Sequence, residues 1–86
     1  MAKIDIYTTT YCPYCVRAKA LLAQKGVDFN EIKVDENPEL RAEMTQRSHG
    51  GRTVPQIFIA DKAIGGCDEL YALAASNQLD TLLKNV

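Results

Sequence analysis

The stretch TTYCPYCVRAKALL, Thr9 to Leu22, decides how this chain is read. It carries two cysteines, Cys12 and Cys15, where a β-rich segment gives way to good helix formers. Ahead of it, Lys3-Ile4-Asp5-Ile6-Tyr7-Thr8 alternates with period two, as a strand does. Pro13 suits the first turn of a helix, where its missing N–H has no partner to lose. Cys15, Ala18 and Leu22 then share one helical face, and Gly26 supplies the stop. Val27-Asp28-Phe29-Asn30-Glu31-Ile32-Lys33-Val34 alternates again and reads as a second strand. Strand, helix and strand in that order require a right-handed crossover and a parallel pair.

Beyond this unit, Asn37-Pro38 is an N-cap followed by a first-turn proline, opening a helix that runs to about Arg47 with Leu40 and Met44 as a thin apolar stripe. His49-Gly50-Gly51-Arg52 is a loop, and lone His49 has no catalytic partner in view. Gln56-Ile57-Phe58-Ile59 and Lys62-Ala63-Ile64 form a hairpin about Ala60-Asp61. Gly65-Gly66 breaks the chain before a helix over Asp68–Ala75, and a last short helix holds Leu79, Leu82 and Leu83. Leu70, Leu73, Leu79, Leu82 and Leu83 are expected in the core. The order β-α-β-α-β-β-α-α makes a small α/β mixed sheet with helices on its faces.

The 86 residues suit one domain, with no linker or repeat. A net charge of −1 argues against a general nucleic-acid binder. No apolar run approaches the ~20 residues needed to span a bilayer, and strand-like alternation begins too early to leave space for a signal peptide. Three cysteines are too few for a disulfide scaffold, and their odd number leaves at least one free. A reducing cytoplasm is the simplest compartment, and there a vicinal pair is catalytic or metal-binding rather than a staple.

With Pro13 as first helical residue, Cys12 is the N-cap, set to accept from the amides of Tyr14 and Cys15 at the positive end of the helix dipole. Arg17 and Lys19 add positive charge. These effects favour a thiolate at Cys12, while Cys15 points toward the sheet and is less reactive. One helical turn also brings the two sulfurs within disulfide reach. A thiol near pKa 8.5 is roughly 3% ionised at pH 7, so lowering it by about three units gives ~30-fold more thiolate. Falling nucleophilicity offsets most of that gain, whereas a low-pKa sulfur leaves better when a second thiol resolves a mixed disulfide. The pair therefore suits a carrier of disulfides. The competing zinc reading needs four ligands, and only Cys67 and His49 remain, unpaired and far apart.

The chain resembles the glutaredoxins, in particular the bacterial dithiol glutaredoxins of the third type, over essentially its whole length. The resemblance rests on Cys12-Pro13-Tyr14-Cys15, on Thr53-Val54-Pro55-Gln56-Ile57-Phe58-Ile59 and on Gly65-Gly66-Cys67-Asp68-Glu69-Leu70. It implies a thioredoxin fold, a four-stranded mixed sheet flanked by helices. It further implies a glutathione-dependent thiol–disulfide oxidoreductase acting on disulfide-containing or glutathionylated proteins, with glutathione as reducing co-substrate and no bound cofactor. A cytoplasmic monomer with no nucleic-acid or membrane partner is expected.

By the same resemblance Cys12 attacks and Cys15 resolves. Thr53-Val54-Pro55 holds a cis proline beside them, Val54 pairs by its main chain with the cysteinyl part of glutathione, and Tyr14 flanks the glycine end. Gly66, Cys67 and Asp68 form the rim, with free amides at Cys67 and Asp68 for a carboxylate and the Asp68 carboxylate for the ammonium. From the residues alone, Asp68 is equally a helix cap. Cys67 is expected to be non-catalytic, though an exposed Cys67 would be open to glutathionylation.

One position departs from the pattern: Thr9 stands where glutaredoxins commonly carry a lysine, which predicts a weaker grip on glutathione unless Arg41, Arg47 or Arg52 compensates. Two other readings are an iron–sulfur cluster shared by a glutathione-bridged dimer and a redoxin reduced by thioredoxin reductase. Pro13 and the third block, respectively, weigh against them.

Overall fold

A computed structural model describes residues 3–84. Its elements are β1 (Ile4–Thr8), α1 (Pro13–Gln24), β2 (Asn30–Lys33), α2 (Pro38–Arg47), β3 (Gln56–Ile59), β4 (Lys62–Gly65), α3 (Cys67–Ala75) and α4 (Gln78–Lys84). The order is the expected one. The strands form a sheet in the order β2-β1-β3-β4, with β1 parallel to β2 and antiparallel to β3, and β3 antiparallel to β4.

Period-two alternation divides the central strands between two cores. Ile4, Ile6, Ile57 and Ile59 pack with Ala18, Leu21 and Leu22 of α1, Leu70 of α3, and Leu79 and Leu83 of α4. Tyr7 and Phe58 point the other way and pack with Val34 and Met44. Among the leucines expected in the core, Leu70, Leu79 and Leu83 are buried, and Leu73 and Leu82 are partly buried against them.

The second strand is shorter than its sequence pattern predicts. Gly26 takes a left-handed φ of 74° and the Val27 amide donates to the Leu22 carbonyl, so the chain is still closing α1. Pairing with β1 starts only at Asn30, opposite Asp5. Val27 and Phe29 instead pack as partly buried side chains against the larger core.

The second helix is poor in apolar contacts, with Met44 its buried residue. Arg47 supplies a further anchor. Its guanidinium lies 4.1 Å from the Phe58 ring centroid and donates to the Tyr7 hydroxyl at 2.7 Å and to Asp5 Oδ2 at 3.3 Å. A third contact reaches Asp61 at 3.4 Å, in the β3–β4 turn where Ala60 and Asp61 both have positive φ. Burial opposes the charge on Arg47, but Tyr7 and Asp5 outweigh it and hold its pKa above the usual range. Burial in turn raises the Tyr7 pKa, although Arg47 works against the rise.

Asp5 is 4% exposed, so removing its arginine leaves a buried carboxylate with, among the described residues, only the longer contacts from exposed Lys3 at 3.9 Å and Asn30 at 3.5 Å. Arg47→Ala is expected to cost about 2–3 kcal/mol in urea unfolding. Arg47→Lys should recover less than half, because an ammonium neither forks between two partners nor stacks on a ring. Full recovery with lysine would contradict this account of α2.

Candidate active site

The first turn of α1 is built as the sequence predicts. Cys12 has extended backbone and is the N-cap; its Sγ accepts from the Cys15 N–H at 3.1 Å, and Pro13 opens the helix. Tyr14 N–H, also expected as a donor, makes no such bond. Cys12 and Cys15 are joined as a disulfide with Cα atoms 5.1 Å apart. Cys12 is half-buried and Cys15 only 1% exposed, so their inequality is a matter of access. One sulfur meets solvent. The other faces the core.

Across from Cys12, the Val54–Pro55 peptide bond is cis, and the Val54 carbonyl oxygen lies 3.8 Å from Cys12 Sγ. Val54 and Pro55 share a cavity of about 320 Å³ with Tyr14, Thr53, Gly66, Cys67, Asp68 and Glu69. Three separate sequence blocks are thereby gathered round one opening beside Cys12. Tyr14 is 55% exposed, with the Arg17 guanidinium 5.9 Å from its ring centroid.

The rim at α3 departs from the sequence reading in an informative way. Its N-cap is Gly66, and Glu69 reaches back so that Oε1 accepts the Gly66 N–H at 2.7 Å. Gly65 has a φ of 114°, and a Cβ there would stand 2.8 Å from Glu69 Oε1, so glycine is needed for this closure. Asp68 is exposed and makes no cap bond. The capping alternative for Asp68 therefore falls away. Sequence reasoning missed Glu69, although a glutamate three residues after a cap position is a recognisable signal.

Cys67 is 6% exposed, so the condition for its modification, an exposed thiol, is not met. Burial, then the neighbouring Asp68 charge, pushes its pKa upward, so it stays a thiol at neutral pH. His49 lies in an exposed turn at a φ of 59°. No group of three or more His, Cys, Asp or Glu among the described residues is arranged to hold a metal.

The loop before Cys12 is fixed by a residue that the sequence did not single out. Asp35 Oδ2 accepts the Thr10 N–H at 2.9 Å, and that bond holds its carboxyl below the ordinary range. Thr9 thus precedes an amide tied to an acidic group. Arg47 is committed to Asp5 and Tyr7 and is not free to compensate. Arg41 and Arg52 remain, both exposed; they line one groove, and Arg41 Nη1 donates to the Arg52 carbonyl at 3.4 Å.

Beneath the site, Glu31 of β2 accepts from fully buried Thr8 at 2.8 Å and pairs with Lys19 of α1 at 2.9 Å. The Lys19 hydrogen bond, aided by Thr8 and opposed by burial, lowers the Glu31 pKa from its ordinary 4.5.

Sequence and structure comparisons agree on one family. The glutaredoxin family model matches residues 4–64. Glutaredoxin 3 of Escherichia coli K12 is 60% identical over 84 residues, covering 98% of this chain and 100% of that protein. A glutaredoxin of Pseudomonas aeruginosa is 55% identical over 83 residues, covering 96% of this chain and 98% of its own. The solution structure of Brucella melitensis glutaredoxin superimposes with a TM-score of 0.86 at 58% identity, covering 98% of this chain and 90% of that one. A buckwheat glutaredoxin–glutathione complex gives 0.88 at 34% identity, covering 96% and 77%.

Two measurements test this geometry. Glu69→Ala should cost about 1 kcal/mol of stability through loss of the α3 cap. Glu31 has a depressed folded pKa, so its contribution is present above pH 4.5 and fades as pH falls through the lower folded value. Urea midpoints followed downward from pH 5 should fall less steeply in Glu31→Gln than in the parent.

Proposed function

The chain belongs to the glutaredoxin family and is a glutathione-dependent thiol–disulfide oxidoreductase, and we propose that Cys12 is its attacking sulfur and Cys15 its resolving one. The observation that carries the assignment is the capping geometry. The half-buried sulfur of Cys12 takes an amide hydrogen bond at 3.1 Å beside an open cavity, while Cys15 is buried one turn inside the helix.

With a glutathionylated protein, the Cys12 thiolate attacks the glutathione sulfur, the protein leaves as a thiol, and Cys12 is left carrying glutathione. A second glutathione then releases oxidised glutathione and regenerates Cys12. With a protein disulfide, Cys12 forms a mixed disulfide with one sulfur of the client and the other leaves. Cys15 then displaces the first client sulfur, closing the Cys12–Cys15 bond, and two glutathiones reopen it.

Glutathione occupies the cavity in this reading. Thr53, Val54 and Pro55 line one wall beside the cysteines, Tyr14 flanks the glycine end, and Gly66, Cys67 and Asp68 receive the γ-glutamyl end. The free amides at Cys67 and Asp68 suit its carboxylate, and the uncommitted Asp68 carboxylate suits its ammonium. The buckwheat relative solved as a glutathione complex supports this choice of ligand. We further assign the whole of residues 1–86 to one glutaredoxin domain, working as a cytoplasmic monomer that carries electrons from glutathione in cell redox homeostasis. No helix among the described residues is long and apolar enough to cross a membrane.

Cys12→Ser should abolish turnover of both substrate classes in a glutathione-coupled assay. Cys15→Ser should keep reduction of glutathione mixed disulfides and lose that of protein disulfides. Asp68→Asn should raise KM for glutathione about fivefold, as expected for one partly exposed charge-assisted contact, and leave stability nearly unchanged. Full activity of Cys12→Ser would overturn the mechanism.

A further inference from the structure

Cys15 poses a chemical problem that its position does not solve. A thiol that is 1% exposed is costly to ionise, yet it must become a thiolate to resolve a mixed disulfide. Cys12 owes its activation to the helix end, and Cys15 lies inside the helix, where its own amide serves Cys12 rather than itself.

Lys19 is four residues on, so the two Cβ atoms sit about 5–6 Å apart on neighbouring turns. Helical side chains lean toward the N-terminus, which carries the Lys19 stem back over the turn that holds Cys15. The ammonium is not left to wander in solvent. Glu31 holds it at 2.9 Å, and buried Thr8 fixes the same carboxylate oxygen at 2.8 Å. The Lys19 and Glu31 side chains are 30% and 26% exposed, sheltered enough for their charges to act at short range.

We propose that the Lys19–Glu31 pair, keyed by Thr8, is a positioning device for the resolving step. Lys19 favours the Cys15 thiolate, and Glu31 holds Lys19 in place while moderating its field. The proposal rests on Cys15 being the resolving sulfur. In that step the Cys15 thiol loses its proton to solvent and the thiolate attacks Cys12 Sγ of the Cys12–client disulfide. The Cys12–Cys15 bond forms, the bond to the client breaks, and the electron pair leaves on the client sulfur, which takes up a proton. The client is reduced and the cysteine pair oxidised.

The other charged and titratable groups around this end are Tyr11 and Cys12 just ahead of α1, Tyr14 and Arg17 on α1, Lys33 on β2, Asp35 beside the Thr10 amide, and Cys67, Asp68, Glu69 and Tyr71 on α3. The three tyrosines are exposed, neutral phenols. Arg17, Lys33, Asp35, Asp68 and Glu69 are exposed, and their charges are screened by water. Cys67 is held as a neutral thiol. Thr8, from β1, is neutral. The partly sheltered charges beneath the first turn of α1 are those of Lys19 and Glu31.

The two partners act with opposite sign, which separates this role from a brace. In a Cys12→Ser background, the pH dependence of Cys15 alkylation reads its ionisation directly. Lys19→Met should move the midpoint up by about half a pH unit, a roughly threefold smaller thiolate fraction at neutral pH. Glu31→Gln keeps the hydrogen bonds to Thr8 and Lys19 but removes the counter-charge, and should move the midpoint down. Lys19→Arg should restore the parent value. With Cys12 present, Lys19→Met should lower the ratio of protein-disulfide to glutathione-mixed-disulfide turnover about twofold, since greater nucleophilicity returns part of the loss. Shifts of the same sign in Lys19→Met and Glu31→Gln, or no shift in either, would overturn the proposal. Intact protein-disulfide turnover in Cys15→Ser would instead overturn the assignment of Cys15 itself, which the alkylation midpoints do not depend on.

Discussion

A single hydrogen bond, from the Cys15 amide to the sulfur of Cys12, organises this protein. A helix must satisfy its first amides, and serine, threonine, aspartate or asparagine usually does so. Here a cysteine takes the position, so the demand of the backbone becomes a preference for sulfur in its charged form. The same bond settles which sulfur is outside, because a cap precedes the helix and its partner, three residues on, faces inward. The asymmetry of access between the two sulfurs is therefore a property of helix geometry, set before any substrate arrives.

Holding that helix end in place is a demand on the whole domain, and a chain of 86 residues has limited apolar area for it. Each face of the sheet adds a polar tie. On one side Lys19 and Glu31 join α1 to β2 and, through Thr8, to the end of β1 from which the active loop departs. On the other, Arg47 joins α2 to β1 and to the β3–β4 turn through Tyr7, Asp5 and Asp61. Both ties span elements far apart in sequence, and both use a charge that burial makes expensive unless its partners stay in place. Directional contacts of this kind fix where a helix lies, which undirected apolar burial does less well.

The element order and the cap at Cys12 were legible in the sequence because each rests on local chemistry: period-two alternation, a proline at the first helical position, and turn residues at fixed spacing. The gathering of the three motif blocks was legible only through the family resemblance. What escaped was set by distant partners. Val27 to Phe29 alternate like a strand, but nothing in that pattern says the chain is still closing a helix there. Asp35 on Thr10 and Arg47 on Asp5 join residues 25 and 42 positions apart, and an exposed-looking aspartate or arginine gives no local sign of such a bond. Glu69 is different. Its capping spacing was readable, yet the adjacent Asp68 drew the cap assignment instead.

Thr9 brings these strands together. The family pattern would place a cation before the active cysteine, and this chain places a hydroxyl there, next to an amide already tied to Asp35. The stabilisation of a Cys12 thiolate then falls more heavily on the helix amides, whose geometry is fixed and whose partial charges do not depend on a flexible side chain. Cations are still close, but they have moved: Arg17 lies by Tyr14, and Arg41 and Arg52 line a groove that adjoins Thr53. Positive charge thus neighbours Tyr14 and Thr53 of the cavity rather than standing at position 9. Under the proposed function, such an arrangement would separate attraction of the substrate from activation of the thiol, two tasks that one lysine at position 9 would have shared.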